Sequence, residues 1–113
     1  MTQQIPEVDV SGVPAELSAA LTVLDVREDA EWAAGHIDGA QHIPLMQIPT
    51  RLDELPAESQ VLVVCRSGTR SAQATAFLNA HGRDAVNLAG GMVAWARSHR
   101  PMVADGAMSP QVY

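Results

Sequence analysis

Residues 61–71 read Val61-Leu62-Val63-Val64-Cys65-Arg66-Ser67-Gly68-Thr69-Arg70-Ser71. The first four are β-branched or Leu, the composition of a strand covered on both faces. The apolar run stops at a polar loop containing Gly68 and gives way to a helical segment over Thr69 to Ala80, closed by Gly82. Strand, loop and helix in that order put Cys65 at the carboxyl end of a strand, where open α/β sheets place their reactive groups. Backbone N–H groups and a helix N-terminus gather there and favour negative charge. The thiolate is both the nucleophilic form of cysteine and the form such a site stabilises.

The same alternation extends in both directions. Glu7 to Val10 and Leu21 to Val26 read as strands, and Pro14 suits the first turn of a helix through Ala15 to Ala20. Glu28 to Ala34 reads as a short helix with acidic residues in its first turn, ended by Gly35. Gln41 to Ile43 is a brief strand stopped by Pro44, and residues 47 to 54 a short helix. The helix from Thr69 is expected to carry Ala72, Ala76, Phe77 and Ala80 on one side. Ala85 to Leu88 and Gly91 to Ser98 supply the last strand and helix. Strands alternating with helices predict an α/β fold, a central mainly parallel sheet with helices on both faces. One domain over 1–104 is expected, with 105–113 a loosely ordered tail that mixes Gly, Pro and small residues.

Composition narrows the setting. Hydrophobic residues make up 47% of the 113, yet the longest apolar runs are a few residues, far short of the roughly 20 that span a bilayer. Met1 to Glu7 has no basic segment followed by an apolar one, so the expected compartment is the cytoplasm, with no membrane partner. The net charge of -6 is uneven: eleven carboxylates face Arg27 and Arg51 in residues 1–64, whereas residues 65–113 hold two carboxylates and five arginines. Lysine is absent, so every permanent side-chain cation is a planar guanidinium. An acidic chain with a locally basic Cys loop argues against nucleic acid and for a small anionic substrate. With a single cysteine, any thiol that resolves a modified Cys65 comes from outside this chain.

Within the loop, Gly68 permits a positive φ that turns successive N–H groups inward as an anion nest. Thr69 and Ser71 offer hydroxyls, and Arg66 and Arg70 flank the thiol with positive charge. Nest, helix N-terminus and guanidiniums are all expected to lower the Cys65 pKa. Such a thiolate could attack sulfur, phosphorus or carbon, and the width of the cradle separates these options.

Five segments carry a family resemblance. They are Leu24-Asp25-Val26-Arg27-Glu28, Glu31-Trp32-Ala33-Ala34-Gly35-His36-Ile37-Asp38-Gly39-Ala40, Ile43-Pro44, Val63 to Ser71, and Leu88-Ala89-Gly90-Gly91-Met92-Val93-Ala94-Trp95. In this order the chain resembles a single-domain rhodanese from about Val8 to Val103. The resemblance implies the rhodanese-like three-layer α/β sandwich. It also implies a sulfurtransferase in which Cys65 takes sulfane sulfur as a persulfide and passes it to a thiophilic acceptor. The spacing Cys65-x-x-x-x-Arg70 resembles that of sulfurtransferases, whereas Cdc25-type phosphatases and arsenate reductases carry one residue more. A phosphatase of that type and a non-catalytic rhodanese-like binding module are the alternative readings, although such modules commonly lack the Cys.

The expected roles follow. Cys65 is the catalytic nucleophile, and Arg66, Ser67, Gly68, Thr69, Arg70 and Ser71 bind the donor, a small anion such as thiosulfate or a low-molecular-weight persulfide. The acceptor is an external thiol, a protein thiol included, or cyanide. Neither a cofactor nor a metal is expected, since His42, His81 and His99 show no ligand spacing with the cysteine. Asp25, Arg27 and His36 are expected to support the site, Asp25 and Arg27 by tying the strand end to neighbouring loops and His36 by hydrogen bonding. Met92 is placed at the pocket mouth and Trp95 in the core. The loop departs from the Cys-Gly-Ser/Thr-Gly-Val-Thr pattern of mercaptopyruvate sulfurtransferases and from the Cys-Arg-Lys-Gly-Val-Thr of two-domain thiosulfate enzymes. Many relatives also have Gly before Pro-Val after the last helix, where this chain has His99-Arg100-Pro101-Met102-Val103.

Overall fold

A computed structural model describes residues 5–106 and 108–113; the first four residues and Ala107 of the tail lie outside it. Five strands form one parallel sheet: β1 (Glu7–Val8), β2 (Leu21–Asp25), β3 (Gln41–His42), β4 (Gln60–Val64) and β5 (Asp84–Leu88), in the spatial order β1-β5-β4-β2-β3. The helices are α1 (Asp29–Ala34), α2 (Ile48–Arg51), α3 (Thr69–Ala80) and α4 (Gly91–Arg97). β4 is central, in register with β2 from Leu21↔Gln60 to Asp25↔Val64 and with β5 from Gln60↔Asp84 to Val63↔Asn87.

Alternation along each strand divides the core in two. Val61, Val63 and Cys65 join Leu24, Val26 and Ala85 on one face, against Ile48 of α2 and Ala74 and Leu78 of α3. Leu62 and Val64 join Val23 and Leu88 on the other, against Met92 and Trp95 of α4 and Val10 and Val13 from the amino-terminal segment. Every β4 residue after Gln60 is buried, as a strand covered on both sides requires.

Several local expectations are corrected. No helix forms over Ala15–Ala20: these residues are exposed apart from a half-buried Leu17, and so short a segment has no apolar face whose burial could offset helix nucleation. β1 stops at Val8, and a 3-10 turn over Val10–Gly12 follows, with the Asp9 carboxylate accepting from Gly12 N–H. The 47–54 helix is a single α-turn, α2, flanked by 3-10 turns at Leu45–Gln47 and Leu52–Glu54. α3 has the expected bounds; its fully buried residues are Ser71, Ala74, Thr75 and Leu78, while of Ala72, Ala76, Phe77 and Ala80 only Phe77 packs, partly buried, against the same core cluster and Ala80 is exposed. Met92 is fully buried in the core and not at a pocket mouth.

Both long turns off helices share one geometry. At the end of α3, Arg83 N–H donates to Leu78 O and Gly82 N–H to Asn79 O, with Gly82 at φ 82°. At the end of α4, Arg100 N–H donates to Trp95 O and His99 N–H to Ala96 O, with His99 at φ 57°. This is the Schellman pattern, built in α4 on a non-glycine residue.

Gly35 ends α1 for a different reason. Its φ of 174° is ordinary extended backbone, but a Cβ there would lie 2.6 Å from Gln111 O and 2.8 Å from Gln111 N. The carboxyl-terminal segment passes over it, with Asp105 N–H donating to Ala33 O (3.0 Å) and Gln111 N–H to Ala34 O (2.9 Å). No helix among the described residues is long and apolar enough to cross a membrane.

Candidate active site

Cys65 follows the last residue of β4 at the carboxyl end of the central strand, and only 1% of its surface is exposed. Its Sγ accepts a hydrogen bond from Gly68 N–H at 3.0 Å and one from the Ser71 hydroxyl at 3.2 Å. Gly68 sits at φ 112°, a conformation open to glycine, and this turn brings its N–H back over the sulfur. Burial pushes the thiol up, but the Ser71 hydroxyl and the amides of Ser71, Gly68 and Ser67 together outweigh it and hold Cys65 below the ordinary thiol value. Hydrogen-bond donors, more than the flanking guanidiniums expected from the sequence, carry this effect.

The loop keeps its N–H groups on the sulfur because its carbonyls are engaged elsewhere. Met92 N–H donates to Cys65 O (2.8 Å) and Val93 N–H to Arg66 O (3.0 Å), so the first turn of α4 grips the outer side of the loop. That approach requires Gly91: its φ is 55°, and a Cβ there would meet Cys65 O and lie 2.7 Å from the carbonyl carbon and oxygen of Arg66. From β5, Asn87 Nδ2 donates to Gly68 O at 3.2 Å and to Glu7 Oε2 at the same distance. Below the loop, Ser71 is wholly buried and Thr75 donates to Ser71 O at 2.7 Å.

The two loop arginines differ. Arg66 is exposed, with no side-chain hydrogen bond or ion pair among the described residues. Arg70 is bound at both ends of its fork by Glu31 of α1, Nη1 to Oε1 at 2.7 Å and Nη2 to Oε2 at 2.9 Å. Glu31 Oε1 also accepts from Glu28 N–H (3.0 Å), which joins the start of α1 to the Cys loop. The Arg70 hydrogen bonds bring the Glu31 carboxyl down to about 2. Ser67 and Thr69 are exposed at the rim.

Asp25, Arg27 and His36 lie in a separate network. Arg27 Nε donates to Asp25 Oδ1 (2.9 Å) and Nη2 to Asp25 Oδ2 (2.7 Å) and Gly35 O (2.7 Å), and neither side chain is exposed. His42 Nε2 donates to Arg27 O at 2.7 Å. His36 Nδ1 donates to Trp32 O at 2.6 Å, and its ring stacks on Trp32 with centroids 3.6 Å apart. These contacts knit the ends of β2, α1 and β3 together.

A family model described as a rhodanese-like domain matches residues 13–98. The chain belongs to the rhodanese-like family. A "Sulfurtransferase" from Allochromatium vinosum is 42% identical over 103 residues, 88% of this chain and 96% of its own length. "Thiosulfate sulfurtransferase GlpE" from Pseudomonas fluorescens is 32% identical over 100 residues, 83% of this chain and 92% of its own. Among solved structures, a rhodanese-related protein from Thermoplasma volcanium superposes with a TM-score of 0.82 at 31% identity, over 88% of this chain and 99% of that one. The α/β architecture built on the parallel sheet is what this rhodanese-like domain shares with that structure, and the two relatives above are named sulfurtransferases.

Three contributors escaped the sequence reading. Glu31 lies 39 residues from Arg70, and no spacing rule connects them. Gly91 read as the start of a helix, not as the space into which the Cys loop packs. Asn87 left a signal that could have been used: a lone amide in the otherwise apolar Ala85-Val86-Asn87-Leu88 strand needs a partner at depth.

Proposed function

We propose that the protein moves sulfane sulfur from thiosulfate or a low-molecular-weight persulfide, through a persulfide on Cys65, to cyanide or a thiol. The observation that carries this reading is the pair of donors on Sγ: Gly68 N–H at 3.0 Å and the Ser71 hydroxyl at 3.2 Å converge on a single sulfur. Cys65 thiolate attacks the outer sulfur of the donor; the new S–S bond forms as the donor's S–S bond breaks, and the electron pair leaves with sulfite or thiolate. The same preorganised donors then hold the terminal sulfur anion, as an oxyanion hole holds oxygen, so no separate acid or base is needed. Cyanide or a thiolate attacks that outer sulfur and returns Cys65 as thiolate. The short Cys65-to-Arg70 loop supports sulfur over a phosphoryl group, and the name of the Pseudomonas fluorescens relative supports thiosulfate as donor.

Incubation with thiosulfate should add one sulfur atom to the intact mass, and cyanide should then remove it as thiocyanate. Cys65→Ala should do neither. Absence of the adduct, together with phosphate release from an aryl phosphate, would replace this reading with the phosphatase one. Absence of both activities would leave a binding module.

A further inference from the structure

The charge around Cys65 differs from that of the loop sequence. Arg66 and Arg70 give the heptapeptide two cations, but the bidentate contacts of 2.7 and 2.9 Å commit Arg70 to Glu31. The Glu31 side chain is only 14% exposed and that of Arg70 33%. Arg27, the next cation towards α1, is neutralised by Asp25 at 2.7 Å, and Glu28 at the start of α1 is exposed. Among the described residues the cradle therefore offers one uncompensated positive charge, on Arg66, to a donor approaching a thiolate.

We propose that Glu31 is a specificity-determining residue that withholds the Arg70 guanidinium from the donor and so tunes the site towards singly charged sulfane donors over doubly charged ones. This rests on the sulfurtransferase reading above. Two donors isolate charge from chemistry. Thiosulfate carries two negative charges; methanethiosulfonate anion replaces one sulfonate oxygen with methyl, keeps the outer sulfur and carries one. In both, the Cys65 Sγ–S bond forms while the donor S–S bond breaks, and the pair leaves on sulfite or on methanesulfinate. No outside oxidant or reductant enters.

The test compares kcat/KM for the two donors, followed as thiocyanate at fixed cyanide, in the wild type and in Glu31→Gln. Freeing one charge beside the donor is expected to raise the thiosulfate-to-methanethiosulfonate ratio about five-fold at low salt. The rise should shrink at about 1 M salt, where the Debye length is about 3 Å. Removing the freed cation as well, in Glu31→Gln/Arg70→Gln, should return the ratio to the wild-type value. Glu31→Ala is the second charge-removing variant, and either one with a cooperative unfolding transition suffices. Equal losses for both donors would make Glu31 a brace only and overturn the inference, as would a raised ratio that persists in the double variant. A wild type that takes sulfur from neither donor would instead overturn the sulfurtransferase reading.

Discussion

Gly91→Ala should damage the active site from outside it. Two costs add. A non-glycine residue at φ 55° is disfavoured by about 1–2 kcal/mol. The new Cβ would also lie 2.7 Å from the Arg66 carbonyl, backbone that cannot rotate away, so the Cys loop must retreat from α4. That retreat lengthens the Met92-to-Cys65 and Val93-to-Arg66 hydrogen bonds, now 2.8 and 3.0 Å, each worth about 1 kcal/mol. The sum is about 3–4 kcal/mol, a large part of the 5–15 kcal/mol typical of a domain. Gly39→Ala supplies the control: its φ is 84°, yet nothing lies within 4 Å of its missing Cβ, so it bears the backbone cost alone. Urea unfolding should separate the two by about 2 kcal/mol. Sulfur loading of Cys65, read by intact mass against time, should slow at least tenfold in Gly91→Ala, since misplacing groups by about 1 Å can cost about a hundredfold. Gly39→Ala should load at the wild-type rate. Equal stability and equal loading in the two variants would refute the clamp.

Ser71→Ala removes a donor from the thiolate, so the Cys65 pKa must rise; alkylation at neutral pH should slow about three- to tenfold and its pH midpoint move upward, and an unmoved midpoint would exclude the hydroxyl. Glu31 is depressed from 4.5 to about 2 on folding, so its contribution is complete above pH 4.5 and is lost as pH falls towards about 2. The full shift would be worth about 3 kcal/mol, and with a third of Arg70 in water we expect about half of that; somewhat over half of this is lost by pH 3, so stabilities from urea unfolding at neutral pH and at about pH 3 should differ by about 1 kcal/mol more in the wild type than in Glu31→Gln. His99→Gly should stabilise by about 0.5–1 kcal/mol, because α4 ends on His99 at φ 57° in the turn that α3 builds on Gly82. A lower melting temperature would show instead that the exposed imidazole contributes more than its backbone costs.

Much of the frame was legible because it rests on local chemistry. The apolar run to Val64, Gly68 and the closing Gly82 announce β4, the loop and α3, and α3 begins and ends where predicted. Its buried face was hidden because two of the inward residues, Ser71 and Thr75, are polar and are buried for their hydrogen bonds to Cys65 and to the Ser71 carbonyl. Ala15–Ala20 misled in the opposite way: good helix formers without a stripe to bury remain irregular. The turn at His99-Arg100 closes with the same pair of hydrogen bonds as the turn that α3 builds on Gly82. What sequence could not supply was the pairing of Arg70 with Glu31, because charge in a sequence has no partner until the fold assigns one.

The sheet margins bear on how this domain meets other molecules. β1 and β3 flank it with two residues each, and Glu7 of β1 directs its carboxylate to Asn87. Margins so short leave no continuous row of unpaired amides and carbonyls, so a foreign chain finds no template for extending the sheet by one more strand, and edge-to-edge aggregation is disfavoured. On the proposed sulfurtransferase reading, donors and acceptors meet the carboxyl end of the sheet, where β4 hands over to Cys65, and edge pairing at high protein concentration does not compete for it.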